Sequence, residues 1–347
     1  MGLPKININF FGFLAPKPKR NPAGTVALIL KDDTQTNDVV TYKSGDDLDG
    51  VSKYIEQAFK GGPREVIVAN IGLEDDYSVA LEKLKNKRFN YLAVPEIDEL
   101  ETDVVVEWIK EKREKDRKRF KAVLPNTEAN HESIINFTAT DIEVGDEIYS
   151  ASEYTARIAG ILAGLPFEQS ATYYVLDEVD AVHEIDNPDE AVDNGELILI
   201  NDGEKIKIGR GVNSLVDIQP EDKKNEEFKS IRVIEILDMI HNEIYDNFND
   251  HYIGKVPNTY DNQVLFINEV KKGFTELEDL DLLSDAHDNT VQVDVNAQRE
   301  AWEKAGVDTT DWDDDQVKEN AFRRNVFLEG KIRVVETIED LDFSIQI

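Results

Sequence analysis

Five short runs rich in β-branched and other apolar residues recur between residues 24 and 139, separated by segments with a helical period. The runs are GTVALILK (24–31), EVIVANI (65–71), NYLAVPEI (90–97), FKAVLP (120–125) and SIINFTA (133–139). The helical patterns between them lie around residues 50–62, 76–87 and 101–120. Alternation of strands and helices is typical of a mainly parallel sheet covered by helices. The first part of the chain is therefore predicted to be an α/β domain.

A further helix is predicted over ASEYTARIAGILAGLP (151–166), where Ala156, Gly160 and Gly164 recur every four residues. Four-residue spacing places them on one face, so another backbone could approach that stripe closely. A β-rich segment follows, with predicted strands at 171–179, 195–201 and 205–211. The NDG sequence at 201–203 predicts a hairpin between the last two.

The last third of the chain is predicted to hold two long amphipathic helices and a sheet. The helices cover residues 230–252 and 260–280, and strands are expected around 325–335 and 341–347. The overall fold class is thus α/β, or α+β for the whole chain. The predicted divisions are an N-terminal arm (1–20), an α/β domain (21–150), a helix with a β-rich segment (151–222), a C-terminal helical and sheet domain (223–335) and a C-terminal arm (336–347).

Both chain ends carry an alternating strand pattern, whereas chain ends are normally polar and frayed. The apolar positions are Ile6, Ile8 and Phe10 at one end and Leu341, Phe343, Ile345 and Ile347 at the other. A strand with one apolar face is not stable alone in water. Each arm is therefore predicted to join a sheet, either in its own chain or in a neighbouring subunit by β-augmentation.

The charge of the chain argues against some partners. With 72 acidic and 39 basic residues, the formal net charge is −33. A field of that sign repels nucleic acid and anionic membranes, so neither is expected as a partner. There is no cysteine, which excludes disulfides and thiolate metal sites. No apolar run approaches the roughly 18 to 20 residues that a membrane helix needs.

The search for catalytic motifs predicts no catalytic residue, no metal site and no cofactor. KIKIGRG leads into Gly209 and Gly211 like the start of a dinucleotide fingerprint, but Ser214 replaces the third glycine and Pro220 interrupts the expected helix. Turn or close-packing glycines are the favoured interpretation. No zinc-protease histidine pair is present, and DWDDD (311–315) is interpreted as a solvated acidic turn.

One basic stretch, KEKREKDRKRFK (110–121), stands out in this acidic chain. It is either an exposed helix face with ion pairs at four-residue spacing, or a patch that docks on an acidic surface of another copy. The second interpretation names a candidate intersubunit face of five residues: Lys110, Lys112, Arg113, Arg117 and Lys118.

Several long segments together resemble the contractile phage tail sheath family, in particular the short sheaths of Gram-positive prophage-like elements and R-type bacteriocins. The segments are MGLPKININF, RIAGILAGLPFEQSATYYVLDEVDAV (157–182), IKIGRGVNSLVD (206–217) and the run from IRVIEILDMI to NEVKKGF (231–274). The resemblance covers nearly the whole chain, and the order and joint presence of the segments carry it.

The resemblance implies a structural protein rather than an enzyme. Subunits of this family form stacked hexameric rings around an inner tube and contract to drive the tube through a cell envelope. The resemblance also implies that both arms join a C-terminal-domain sheet of neighbouring subunits, and that this sheet includes the strand near 326–335. The implied partners are other sheath subunits, the inner tail tube, and baseplate and tail terminator proteins. The protein would be made in the bacterial cytoplasm and reside in a phage tail or tail-like particle.

Two other functions remain open at this point. Strand–helix alternation alone is compatible with an α/β enzyme that acts on a nucleotide or another phosphate-containing substrate, although a fold does not determine a function. A generic binding module with exchanged arms would close as a small ring instead of an extended array.

Overall fold

The computed structural model describes residues 23–33 and 39–346. This part of the chain forms two compact units. The larger unit contains residues up to 234 together with the C-terminal segment from 337, and the smaller unit contains residues 235–336. The boundary predicted between residues 150 and 151 thus lies inside the larger unit, because helix 151–164 packs on the sheet formed by the preceding residues.

The larger unit contains most of the strands and helices. Its strands are β1 (Thr25–Lys31), β2 (Val39–Lys43), β3 (Glu65–Ile71), β4 (Tyr91–Ala93), β5 (Lys121–Pro125), β6 (Ile134–Phe137), β7 (Ile142–Val144), β8 (Glu147–Tyr149), β9 (Glu196–Leu197), β10 (Leu199–Asn201) and β11 (Ile206–Ile208). Its helices are α1 (Lys53–Phe59), α2 (Tyr77–Leu84), α3 (Thr102–Glu114), α4 (Ala151–Gly164) and α5 (Pro188–Asp193), with short 3₁₀ turns at Glu99–Glu101, Pro220–Asp222 and Glu226–Lys229.

A seven-stranded sheet in the order β2-β3-β1-β4-β5-β6-β9 forms the centre of the larger unit. All neighbouring strands are parallel except β2, which runs antiparallel to β3. Both faces are buried: Val26 and Leu28 of β1 pack in the core beside α1 and α4, while Ala27 and Ile29 pack in the core beside α2 and α3. The mainly parallel sheet predicted from the alternating pattern is confirmed, and its central strands are mostly apolar because helices cover both faces.

Helix α4 begins at a capping box, in which the Ser150 and Glu153 side chains each accept from the other residue's backbone N–H. Its glycines face α1 without intervening side chains. A Cβ atom on Gly160 would overlap the carbonyl oxygen of Ala58, and one on Gly164 would overlap that of Gly61. The predicted stripe therefore allows two helix backbones to touch inside the larger unit.

The β-rich segment differs in part from the prediction. Strands β10 and β11 form the antiparallel hairpin expected around 201–203, and Gly203 has the left-handed backbone that its turn requires, with φ 94°. Residues 171–179 are not a regular strand, so that prediction is wrong. They exchange backbone hydrogen bonds with β11, but Tyr173 has φ 59°, which interrupts the extended conformation.

Two long helices, joined by residues 253–259, precede a small sheet. Helix α6 (Ile231–Asn247) ends in a π-helical turn at Phe248–Tyr252 and is followed by α7 (Tyr260–Glu278). Both correspond to the predicted helices at 230–252 and 260–280. The smaller unit also contains β12 (Thr290–Val293), α8 (Val295–Lys304), α9 (Asp314–Glu319) and β13 (Leu328–Lys331), and α7 packs against β12.

Sequence reasoning missed α8 and α9. Each starts at an aspartate that caps it: the Asp294 side chain accepts from the backbone N–H of Ala297, and the Asp313 side chain accepts from that of Gln316. The DWDDD stretch thus begins in a turn at Asp311, as predicted, and continues through Asp313 into a helix, where carboxylates are favourable at the N-terminal end of the helix dipole.

Candidate subunit-linking surfaces

The C-terminal segment 336–346 has no regular secondary structure, and its large apolar side chains are exposed. The exposed fractions are 97% for Ile338, 86% for Leu341, 72% for Phe343 and 72% for Ile345. The strand predicted over 341–347 is thus not formed in the single chain, because no described residue pairs with it. Ile347, like Ile6, Ile8 and Phe10 of the N-terminal arm, lies outside the described residues.

The base of this segment is nevertheless tied to the larger unit. Arg210 places its Nη2 atom 2.7 Å from both carboxylate oxygens of Asp340, and its Nε atom 3.3 Å from Oε2 of Glu339. The contact joins residues 130 positions apart in sequence. The hydrogen bond to the Asp340 carboxylate raises the pKa of Arg210.

The glycines beside Arg210 serve close packing. Neither Gly209 nor Gly211 has a left-handed backbone. A Cβ atom on Gly209 would lie 3.0 Å from Cγ1 of Ile198, and one on Gly211 would lie 3.3 Å from Oγ of Ser170. Of the two roles predicted for these glycines, the structure favours close approach of chain segments over a tight turn.

The smaller unit contains a small antiparallel sheet. Among the described residues, this sheet consists of β12 and β13 alone, paired antiparallel with Val291 opposite Gly330 and Val293 opposite Leu328. The backbone N–H of Asp294 donates to the Phe327 carbonyl at 3.0 Å. Asp294 and Phe327 are therefore a hydrogen-bonded pair, and such pairs alternate with non-hydrogen-bonded pairs along an antiparallel ladder. The backbone N–H and C=O groups of Val291, Val293, Leu328 and Gly330 consequently point away from the partner strand.

The two faces of this small sheet differ in polarity. Val291, Val293 and the following Ile332 are buried, whereas Gln292, Glu329 and Lys331 are exposed on the other face. An additional strand at either edge would therefore need alternating apolar and polar side chains.

The basic stretch 110–121 is exposed only in part. Arg113 is buried, with its Nε atom 3.6 Å from Glu132, so it does not belong to an exposed face and that part of the prediction is wrong. Lys112 binds Asp116 at 2.7 Å, and Lys110 donates to the Ala129 carbonyl at 3.3 Å.

The end of this stretch leaves the helix. Lys118 donates to the carbonyl oxygen of Lys85, and Arg117 has φ 58° where the chain turns away from α3. Burial, together with Lys112, Lys85 and Arg88 nearby, lowers the pKa of Lys118. Four of the five predicted residues are thus partly exposed, and Lys110, Lys112 and Lys118 each contact a group of their own chain.

A buried ionic cluster, which sequence reasoning missed, connects α3 to the segment that precedes α6. Glu132 lies 3.6 Å from Arg113, 2.9 Å from Lys224 and 3.7 Å from Nδ1 of His131. Burial alone would raise the pKa of Glu132, but the positive charges of its neighbours outweigh burial and lower it. The basic stretch was the one feature of the sequence that pointed to this cluster, and it does not show that Arg113 points inward.

We expect this cluster to make the larger unit sensitive to acid. Burial lowers the pKa of His131 from 6.5 to about 4. Between these values the unfolded chain binds a proton that the folded chain does not, so stability falls as the pH falls. The loss attributable to His131 should be on the order of 1 kcal/mol between pH 7.5 and pH 5.5, measured by urea unfolding above the isoelectric point of about 4.5.

His131→Asn is the matched variant, because its Oδ1 can replace the Nδ1 that accepts from the Ser133 backbone at 3.2 Å. It should flatten the pH dependence by that amount. An equal pH dependence in His131→Asn and the unchanged protein would contradict the role of His131.

No group of three or more histidine, aspartate or glutamate side chains in the described residues could hold a metal ion. Within the same residues, no helix combines the length and apolarity required to cross a bilayer.

Comparison with known proteins identifies the family. Residues 73–214 match the phage tail sheath protein central domain, and residues 223–347 match the phage tail sheath C-terminal domain. The tail sheath protein of Clostridium phage phiCD119 is 36% identical over 360 residues, which cover 99% of each chain. This chain belongs to the phage tail sheath family.

Solved sheath structures have the same fold. The sheath tail protein from Desulfitobacterium hafniense superposes with a TM-score of 0.70 at 19% identity, over 84% of this chain and 94% of that one. The helical sheath of the anti-feeding prophage in its contracted state gives a TM-score of 0.68 at 11% identity, over 99% and 98% of the two chains.

Membership of the phage tail sheath family sets the coarse function. The protein is a structural subunit of a contractile phage tail or a related phage tail-like particle, and it is not an enzyme. The resemblance noted in the sequence is thereby confirmed, and the alternative of an enzyme with a phosphate-containing substrate is set aside.

Proposed function

We propose that this sheath subunit polymerises by donating its C-terminal arm, residues 341–347, to a sheet of a neighbouring subunit. The N-terminal arm with Ile6, Ile8 and Phe10 would be donated in the same way. Stacked hexameric rings linked by these strands would surround an inner tube and end at baseplate and terminator proteins. Contraction of the rings would drive the tube through a cell envelope.

One observation carries the proposal: the C-terminal segment keeps a strand pattern in its sequence but no strand in the single chain. Leu341, Phe343 and Ile345 alternate with polar residues and are at least 72% exposed. Exposed apolar side chains at this density favour burial against a partner. Pairing with another subunit would give the segment both the backbone partners and the apolar contacts that it lacks.

The small sheet of the smaller unit has the features of an acceptor. The outward backbone groups of Leu328 and Gly330 could extend the ladder by one strand. In that ladder, Phe343 and Ile345 would align with the face of the buried Ile332, and Asp342 would align with the face that carries Lys331. The opposite charges of these two side chains favour that alignment over one shifted by a residue.

The expected gain in free energy is large enough to hold subunits together. Burying three apolar side chains contributes about 1.5–3 kcal/mol each. Four to six backbone hydrogen bonds add about 1 kcal/mol each, before the entropy of ordering the arm is subtracted. A link of this strength would persist while the bodies of the subunits rotate, because the paired strands can stay intact and the connecting residues bend.

The basic stretch supplies a second, electrostatic contact in this proposal. Lys115 is 70% exposed at the end of α3, and Lys110 is 27% exposed. If this surface meets an acidic surface of another copy in one state only, reversing both charges with Lys110→Glu and Lys115→Glu should change how contraction depends on salt. Electron microscopy of assembled sheaths over a series of salt concentrations measures the contraction of the variant and of the unchanged protein. The same salt dependence in both would contradict the contact.

Negative-stain electron microscopy of the intact protein tests the proposed assembly. Long tubes with regular transverse striations are expected at micromolar concentration. Small closed rings would instead favour the binding module with exchanged arms. A protein that stays monomeric at all concentrations would contradict self-assembly through the arms.

A further inference from the structure

The arginine of the Gly209-Arg210-Gly211 motif has no part in the function proposed above, yet its backbone is held on both sides. The Gly209 N–H donates to the Ile198 carbonyl at 2.9 Å, and the Gly211 N–H donates to Oγ1 of Thr172 at 2.9 Å. Close packing around both glycines restricts the same segment. Arg210 therefore starts from a rigid backbone, which reduces the entropy lost when its guanidinium binds a partner.

The partner of this guanidinium is the base of the C-terminal arm. Asp340 contacts Nη2 through both oxygens at 2.7 Å, and Glu339 contacts Nε at 3.3 Å. The Glu339 side chain is 22% exposed, whereas Ile338 just before it and Leu341 just after the pair are almost fully exposed. The contact therefore attaches a segment whose neighbouring apolar side chains are exposed.

We infer that Arg210 is a positioning residue for arm donation: it binds Glu339 and Asp340 and fixes the point at which the arm leaves its own subunit. This inference rests on the proposed function. Residues 341–347 would remain free and could extend over about 23 Å, at about 3.3 Å per residue. A fixed departure point shortens the flexible linker and so raises the effective concentration of the strand at its acceptor.

Fixing the departure point also affects register. A slip of one residue would turn Phe343 and Ile345 to the polar face of the acceptor sheet. An anchor directly before Leu341 limits such slips because the seven free residues can reach only a narrow set of positions. IKIGRGVNSLVD is one of the segments that resemble the sheath family. In this inference its arginine, Arg210, binds the arm rather than a nucleotide.

Spin labelling tests the anchor in the full-length chain. Because the protein contains no cysteine, Ile338→Cys gives a unique site for a nitroxide next to the anchor. Arg210→Glu should release the arm base, and the label's spectrum should narrow toward that of a flexible peptide. Lys205→Glu, which changes an exposed lysine of the same hairpin by the same charge, should leave the spectrum unchanged.

A charge exchange distinguishes an anchor from a fold defect. Arg210→Glu combined with Asp340→Arg should restore part of the broad spectrum, and thermal unfolding of all variants should match the unchanged protein. A spectrum that does not respond to Arg210→Glu would overturn the inference.

Assembly supplies the second readout. Arg210→Gln should raise the critical concentration for tube formation up to about fivefold at low salt, and the difference should shrink near 1 M salt. If the label is released but tubes form at the unchanged concentration, Arg210 does not position the arm, and the inference fails. Arm donation itself is judged separately, because it fails only if deletion of residues 341–347 leaves tube formation intact.

Discussion

Deletion of residues 341–347 should leave a folded subunit that forms no tubes. The deleted residues up to 346 are exposed and belong to no helix or strand, so the thermal midpoint should change by no more than about 2 °C. Loss of three buried apolar side chains at each link should raise the critical concentration for assembly by at least about 100-fold. Sedimentation and negative-stain microscopy of the truncated and intact proteins measure this effect.

Point variants separate the apolar pattern from the length of the arm. Phe343→Ser with Ile345→Ser should reproduce most of the assembly defect, whereas Ser344→Ala, on the alternate face, should assemble like the intact chain. The truncated subunit still carries its own β12–β13 sheet, so a small amount added to intact subunits should shorten the tubes by blocking growth at one end. Long tubes formed by the truncated protein alone would contradict arm donation.

Gly160→Ala should destabilise the larger unit by about 3 kcal/mol or more. The new methyl group would overlap the Ala58 carbonyl, a backbone atom that cannot move without displacing α1. At an open helix position the same change would stabilise by about 1 kcal/mol, so the sign of the effect reports the contact between the two helices. Urea unfolding and the thermal midpoint, expected to fall by about 6–12 °C, are the measurements.

Glu56→Ala provides a matched control on the partner helix. Glu56 is exposed on α1, and its replacement should cost less than about 1 kcal/mol through loss of a favourable charge near the helix N-terminus. A stability of Gly160→Ala equal to or above that of the unchanged protein would show that α1 and α4 do not pack backbone to backbone.

Much of the fold could be predicted because local patterns decide it. The buried strands β1 and β3 are apolar runs bounded by helical segments, and helices α6 and α7 each have a continuous apolar stripe. These signals lie within a few residues of one another, so they survive without knowledge of distant contacts. Short elements such as α9 were missed because their boundaries depend on capping side chains within an acidic stretch, where every residue resembles a solvated turn.

The candidate surfaces depended more strongly on tertiary structure. The arm residues Phe343 and Ile345 were found from alternation alone, and their exposure in the single chain agrees with a strand that requires a partner. In contrast, the basic stretch was treated as one face, although Arg113 turns inward to Glu132. A sequence pattern gives the number of charges in a helix but not the buried carboxylate that attracts one of them.

The amino-acid sequence by itself determined the parallel sheet, the long helices, the glycine stripe of α4 and the strand pattern of the arm, because each depends on the spacing of residues along the chain. Only the tertiary structure showed that Arg210 binds Glu339 and Asp340 and that Glu132 joins Arg113 to Lys224. These contacts connect residues 19 to 130 positions apart. Coulomb attraction has no period in sequence, so such pairs become visible only when the fold brings the charges together.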